Sequence, residues 1–314
     1  MSFAIAILNY NGAELLERFL PSVLAYSGEA KIYVIDNGST DASKQLLAEK
    51  FSSVNLIALQ QNLGYAGGYN AGMKQIDESI VCLLNSDVAV SENWTTPIVG
   101  FFRAHANVAV VQPKIKDLNN PSYFEYAGAA GGYLDLMGLP YCRGRVGKKC
   151  ALDTGQYDDN MAVTWASGSC FFVRKSAFQS LGGFDDSFFM HFEEIDFCLR
   201  AKNEGHEVWY VGESEVFHLG AGSLQKDNPK KLFFNIRNSL LTYVKNLSFA
   251  ALIWVFMLRA IFDTTLYLVY LVRLKLAHAN AIVQGHCSFV KHFIGAWKKR
   301  KETSNPLRFF SSLR

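Results

Sequence analysis

The sequence predicts an α/β fold in which a mostly parallel sheet is covered by helices on both faces and followed by an apolar helical extension. Three observations carry that expectation. Over the first hundred residues, short apolar runs alternate with segments of helical period. Three of the four apolar runs end in Asn or Asp, as strands do when they carry polar groups to the edge of a sheet. Beyond about Leu240 the composition shifts to long apolar segments and then to a basic tail, so residues 1–240 are expected to form one domain and 241–314 a helical extension.

The elements follow in order. "FAIAILNY" reads as a buried strand, after which Leu15, Leu16, Phe19, Leu20, Val23 and Leu24 fall on one helical face. "KIYVIDN" is a second strand, followed by a helix opening near Ser39-Thr40-Asp41 with Leu46 and Leu47 inside. "VNLIAL" and "SIVCLLN" are the third and fourth strands, and "QNLGYAGGYNAG" between them reads as a glycine-rich loop. Strands joined by helices of this length pair in parallel through right-handed crossovers. Residues 117–160, rich in Gly and Tyr and without a clean period, read as a long excursion over the ligand-binding face with short strands. "TWASGSCFFVRKSAFQSLGGFDD" supplies a strand and short helix, and "FEEIDFCLRAKNEGHEVWYV" a helix ended by Gly205 and then a strand.

Composition narrows the class of protein. Half of the 314 residues are hydrophobic, which excludes general disorder. The net charge of +3 is unevenly spread: from Val290 onward seven Lys/Arg face one Glu, which leaves the body slightly acidic. An acidic body excludes nucleic acid as the main ligand, and the basic tail favours anionic surfaces. Six cysteines show no CxxC pair or disulfide spacing, and "MSFAIAILNYNG" has no charged leader region. A reduced, cytoplasmic setting is expected.

In open α/β sheets ligands bind beyond the carboxyl ends of the strands, where Asn9, Asp36 and Asp87 are expected to lie. Asp36 suits either the N–H of uracil or thymine, a ribose hydroxyl, or an Asx turn opening the next helix. Gly64, Gly67, Gly68 and Gly72, flanked by Asn62 and Asn70, match neither a GxxxxGK[ST] loop nor a GxGxxG fingerprint. Asn85-Ser86-Asp87 ends a strand in a carboxylate. A sugar nucleotide needs a divalent cation across its phosphates, and Mg²⁺ or Mn²⁺ asks for only one or two protein ligands. Asp87 is one candidate and His218 a second, unless the imidazole merely satisfies a neighbouring polar group. Glu193, Glu194 and Asp196 either favour a helix N-terminus or supply a base for an acceptor hydroxyl, and at most two of them share a helical face.

Taken in order, "ILNYNG", "VIDNGSTD", "QNLGYAGGYNAG", "LLNSD", "SGSCFFVRKSAFQSLGGFDDSFFMHFEEIDFCLRAKNEGHEVWYV" and "FHLGAGS" resemble the family 2 glycosyltransferases of the GT-A, Rossmann-like fold, and especially their rhamnosyltransferase-like branch. The resemblance covers about residues 3–240. It implies that Asp36 binds the donor pyrimidine, with Asn9, Asn11, Asn62, Gly64, Gly67, Asn85 and Ser86 around the donor. It implies that Asp87, the last acid of a D-x-D motif whose first position is Asn85 here, binds Mg²⁺ or Mn²⁺ together with His218. Glu194 falls at the general-base position, with Glu193 and Asp196 as alternatives. Arg237 and Asn238 match a further pattern of the branch, Arg237 serving either a diphosphate or a buried salt bridge. The implied reaction is inverting transfer of a sugar, with dTDP-rhamnose the leading donor and a UDP-sugar the other. The implied acceptor is a lipid-linked glycan at the inner membrane face. A nucleotidyltransferase would need a basic phosphate loop near the N-terminus, where "LNYNGAELLERF" has only Arg18. A non-catalytic sugar-binding protein on the same fold is the other alternative.

Leu247–Val272 contains only Arg259 and Asp263 as charges. It is long enough to span a bilayer, which takes about 20 residues. Charges four apart pair on one helical face, so amphipathic helices lying on the membrane surface or packed together are expected rather than a span. The tail "AWKKRKETSNPLRFFSSLR" suits anionic headgroups.

Overall fold

The computed structural model describes residues 2–147, 149–220 and 227–301. Most of the tail assigned to headgroups, and the Ala221–Ser223 part of "FHLGAGS", lie outside the described residues.

Within the described residues the chain runs β1 (Phe3–Asn9), α1 (Ala13–Tyr26), β2 (Lys31–Asp36), α2 (Ser43–Lys50), β3 (Asn55–Ala58), α3 (Gly64–Met73), β4 (Ile80–Asn85), β5 (Val88–Val90), α4 (Thr95–Ala104) and β6 (Val108–Asp117). The long excursion follows, carrying β7 (Gly132–Leu134), β8 (Pro140–Cys142), β9 (Arg145–Val146) and β10 (Lys149–Cys150) in two small hairpins. The remainder is β11 (Asn160–Ala162), β12 (Cys170–Arg174), α5 (Lys175–Ser180), α6 (Glu193–Asn203), β13 (Glu207–His218), α7 (Pro229–Asn246), α8 (Phe249–Val272) and α9 (Leu276–Lys298).

The central sheet has the order β11-β13-β6-β12-β4-β1-β2-β3, with β5 paired to β13. Strands β1 to β4 are mutually parallel, but β12 enters antiparallel between β4 and β6, so the sheet is mixed. Alternation along each strand feeds two cores. On β4, Val81 and Leu83 join one core, while Ile80, Cys82 and Leu84 join the other. Both faces are therefore covered, as the continuous apolar runs require. The register aligns Asn9 with Asp36 and Leu8 with Asn85, which brings three strand ends to one edge.

One element differs from the sequence reading. The glycine-rich stretch after Asn62 is helix α3, not a loop. Glycine lowers helix propensity by about 1 kcal/mol per residue, which hides the helix from a propensity argument. Packing overrides that cost. A Cβ on Gly72 would stand 2.2 Å from the Ile35 side chain, so the small residues let α3 lie against the sheet, where Ala66, Tyr69 and Met73 are buried.

The compositional boundary near Leu240 falls inside α7, which continues to Asn246 and packs on α6 and α9. Helix α8 is long and apolar enough to cross a membrane by length and composition. Its two charges pair on one helical face, as their spacing predicts, and that face turns inward. Arg259 and Asp263 are nearly fully buried and paired at 3.2 Å; Arg259 also donates to Ser239 Oγ at 3.0 Å, and His286 Nε2 stands 3.1 Å from Asp263. The outward faces of α8 and α9 are apolar and exposed, with Trp254, Met257, Ile261, Leu268, Val290 and Ile294 each 48–69% accessible.

Candidate active site

A cleft of about 870 Å³ opens at the carboxyl edge of β1, β2 and β4. Its walls include Tyr10, Asn11, Asn37, Asp41, Asn62, Gly64, Tyr65, Phe189 and Met190, and Asn85, Ser86 and Asp87 lie along it. The cleft floor is built by side chains that do not line it. Asn9 and Asp36 are fully buried; Asn9 Nδ2 donates to Asp36 Oδ2 at 3.3 Å and to Ser39 Oγ at 3.2 Å, and Ser39 N donates to Asp36 Oδ1 at 3.0 Å. Ser39 Oγ in turn accepts from the backbone N–H of Asn11, and Asn11 Oδ1 accepts from Thr40 N at 2.8 Å. Asp36 thus sits fully buried behind the cleft lining, each carboxylate oxygen accepting one hydrogen bond, from Asn9 Nδ2 and from Ser39 N.

Asn62 closes the opposite wall. Its Oδ1 accepts from Gly64 N at 2.8 Å and from Asn37 Nδ2 at 3.1 Å. Gly64 has φ +73°, and a Cβ there would stand 2.4 Å from the Phe189 carbonyl oxygen. That carbonyl accepts from Tyr65 N at 2.7 Å and so caps the start of α3. Gly67 packs toward Leu63 rather than into the cleft.

Asp87 and His218, 131 residues apart, are adjacent. His218 Nε2 lies 3.1 Å from Asp87 Oδ1, and both residues are buried. The backbone enforces this contact: β13 places His218 beside Val88 of β5 and Asp117 of β6, and Leu219 N donates to Asp87 O at 3.0 Å. On the far side of the ring, Nδ1 is 3.7 Å from Glu125 Oε1. Burial would pull the imidazole pKa down, but the two carboxylates outweigh it and push it up to about 10. Among the described residues no group of three or more His, Cys, Asp and Glu forms a ready metal cage. The Asp87–His218 pair nevertheless fits a hard divalent cation that takes its other ligands from phosphate and water: one carboxylate oxygen on the cleft and one imidazole nitrogen directly beside it.

The three acids of α6 separate. Asp196 is fully buried in an ion-pair cluster, 2.8 Å from Lys245 Nζ and 2.9 Å from Arg200 Nε, and also accepts from Asn246 at 2.9 Å. Burial raises its pKa, but those cations prevail and hold it below the usual carboxylate range. It is a structural anion, removed from the set of candidate bases. Glu193 and Glu194 each leave Oε2 buried without a hydrogen-bond partner. Burial pushes Glu194 up to about 7, and burial together with the Glu194 charge holds Glu193 well above the usual carboxylate range. Tyr65 joins this end to the cleft: its hydroxyl donates to Gly168 O at 2.6 Å, and Gly168 packs against Glu194.

The segment leading into α6 carries Phe189, His191 and Phe192 at positive φ (63°, 66° and 72°). Side chains of α7 hold it. Asn238 Nδ2 donates to Met190 O at 2.9 Å and His191 O at 2.7 Å, while Arg237 Nη2 donates to Ser187 O at 2.9 Å and Phe188 O at 3.0 Å. Arg237 thus serves backbone carbonyls and the Asn238 side chain. Tyr10, Asn37, Asp41 and Tyr65 stood inside the quoted motifs without being singled out. Glu125, in the aperiodic excursion, carried no sequence signal.

Known proteins bear on this geometry. The fold is that of GalNAc-T7 solved with UDP, GalNAc and Mn²⁺ (TM-score 0.60, 18% identity, covering 77% of this chain and 47% of that one). It is also that of a mannosyltransferase from Pyrobaculum calidifontis in complex with GDP-Man and Mn²⁺ (TM-score 0.54, 12% identity, 92% and 86% covered). This chain spans about half the length of the first and most of the second. Fold and cleft together define a glycosyltransferase of the GT-A type.

The chain belongs to glycosyl transferase family 2, whose model matches residues 4–182, and to its rhamnosyltransferase-like branch. It is 27% identical over 243 residues to the N-acetylglucosaminyl-diphospho-decaprenol L-rhamnosyltransferase of Mycobacterium tuberculosis (strain CDC 1551 / Oshkosh), covering 73% of this chain and 79% of that protein. It is 22% identical over 229 residues to the dTDP-rhamnosyl transferase RfbF of Shigella flexneri (68% and 71% covered). Membership in this family sets aside the nucleotidyltransferase and binding-protein alternatives.

Proposed function

We propose that this glycosyltransferase transfers rhamnose, with inversion, from dTDP-rhamnose to a hydroxyl of a lipid-linked glycan at the cytoplasmic face of the membrane. The observation that carries the reading is the Asp87–His218 contact of 3.1 Å, with Asp87 lining a cleft large enough for a sugar nucleotide. In this reading Tyr10, Asn11 and Asp41 border the base, Asn9 and Asp36 hold that wall in shape, and Asn85 and Ser86 meet the ribose and diphosphate. Asp87 and His218 would hold Mg²⁺ or Mn²⁺, which neutralises charge building on the departing diphosphate. Glu194 accepts the proton of the acceptor hydroxyl as its oxygen attacks the anomeric carbon; a carboxyl poised near pH 7 suits that task. The names of the Mycobacterium and Shigella relatives support the sugar and the lipid-linked acceptor. The exposed apolar faces of α8 and α9, with Lys298, Lys299, Arg300 and Lys301 at their end, support docking on an anionic bilayer surface.

The test is release of nucleoside diphosphate from dTDP-rhamnose and from UDP- and GDP-sugars, with and without Mn²⁺. A polyprenyl-diphosphate N-acetylglucosamine serves as acceptor. Mn²⁺-dependent dTDP release that is lost in Asp87→Ala supports the proposal. Silence across the panel, release of pyrophosphate, or undiminished Mn²⁺-dependent turnover by Asp87→Ala overturns it.

A further inference from the structure

Glu125 is 7% exposed, sits outside every motif of the sequence, and takes no part in the reaction as described above. It lies in the excursion after β6, where its backbone N–H donates to Ile115 O at 3.0 Å and its side chain accepts from Ala127 N. The backbone therefore fixes where the carboxylate stands. It stands behind His218: Oε1 is 3.7 Å from Nδ1, on the side of the ring opposite Asp87. The three side chains thus form a line of carboxylate, imidazole and carboxylate, all nearly buried, with only the Asp87 end on the cleft.

An imidazole that ligates a cation through one nitrogen must carry its proton on the other, and a carboxylate behind the ring sets that tautomer and the ring's direction. Glu125 cannot itself join the cation from this position, because it faces the wrong nitrogen. We propose that Glu125 is a positioning residue for the cation site: it accepts the Nδ1–H of His218 and so keeps the Nε2 lone pair aimed beside Asp87. A closure of about 0.9 Å from the present separation brings the pair to ordinary charge-assisted hydrogen-bond length. This inference rests on the cation reading of Asp87 and His218 proposed above.

The experiment is a Mn²⁺ titration of the full chain, with and without UDP, followed by the electron paramagnetic resonance signal of free Mn²⁺. Thermal melting without metal reports folding of each variant. Glu125→Ala is expected to weaken Mn²⁺ binding 10–100-fold, as removal of outer-shell partners does. Glu125→Gln keeps an acceptor oxygen and should fall between wild type and Ala; if the Ala variant fails to fold, a weakening of about 10-fold in Gln carries the test. Folded Glu125 variants that bind Mn²⁺ as tightly as wild type, while Asp87→Ala and His218→Ala do not, overturn the role of Glu125 alone. No saturable binding by wild type, or binding indifferent to Asp87→Ala and His218→Ala, overturns the cation site itself.

Discussion

Removing the Asn238 amide should loosen the segment that delivers Glu193 and Glu194. Asn238 is fully buried, and its Nδ2 spans the carbonyls of Met190 and His191, with Phe188 O at 3.2 Å. Phe188 O keeps other donors, Arg237 Nη2 at 3.0 Å and Met190 N at 2.7 Å, so two carbonyls lose their amide donor. Each orphaned buried acceptor costs about 1–3 kcal/mol. The segment also stores strain, since each non-glycine residue held at left-handed φ costs roughly 1–2 kcal/mol and three occur here. Partial relaxation of that strain offsets some of the loss. Asn238→Ala is therefore expected to destabilise by about 2–4 kcal/mol, a melting-point drop of roughly 4–10 °C for a chain of this size. Asn238→Asp isolates the cause. It keeps shape and the acceptor for Arg237 Nε (2.7 Å) but has no N–H to give, so it should also melt early. Thermal melting by circular dichroism reads both. If Asn238→Asp melts within about 1 °C of wild type, the carbonyl-staple argument is wrong.

Other consequences follow from the same geometry. With Glu194 held up near 7, the base form is lost as pH falls, so log kcat/KM should decline below about pH 7 towards unit slope; Glu194→Gln should cost about 10²–10⁴-fold. A flat profile from pH 5 to 8 in the wild type would remove Glu194 from the proton transfer. Gly72→Ala forces a methyl to within 2.2 Å of Ile35 and should destabilise by about 1–3 kcal/mol, read from the urea midpoint. Arg259→Met leaves Asp263 buried with only the His286 imidazole, and a stability loss of about 3–5 kcal/mol is expected; a neutral result would mean water already reaches that pair. Ile261→Glu, on the outward face of α8, should reduce sedimentation with phosphatidylglycerol vesicles about 10–100-fold without lowering the melting point.

Strands β1 and β4 were legible because they are buried on both faces, which leaves unbroken apolar runs that no other element explains at that length. The first turn of α6 was legible in part. The sequence placed three acids there, but it could not show that Lys245 and Arg200 sequester Asp196 while Glu193 and Glu194 keep an oxygen unpartnered. Helix α3 was hidden because its glycines argue against a helix locally and reveal their purpose only against Ile35 and Phe189.

What the sequence determined alone is the set of strand ends: alternating apolar runs that stop in Asn9, Asp36 and Asn85 must bring polar groups to one sheet edge, because parallel pairing aligns them. What only the tertiary structure decided is which distant groups meet there. The register of β13 against β5 and β6 sets His218 beside Asp87, and a backbone turn sets Glu125 behind it. Side-chain chemistry is local to the chain, but the distance between two side chains belongs to strand pairing and packing, and those are properties of the whole fold.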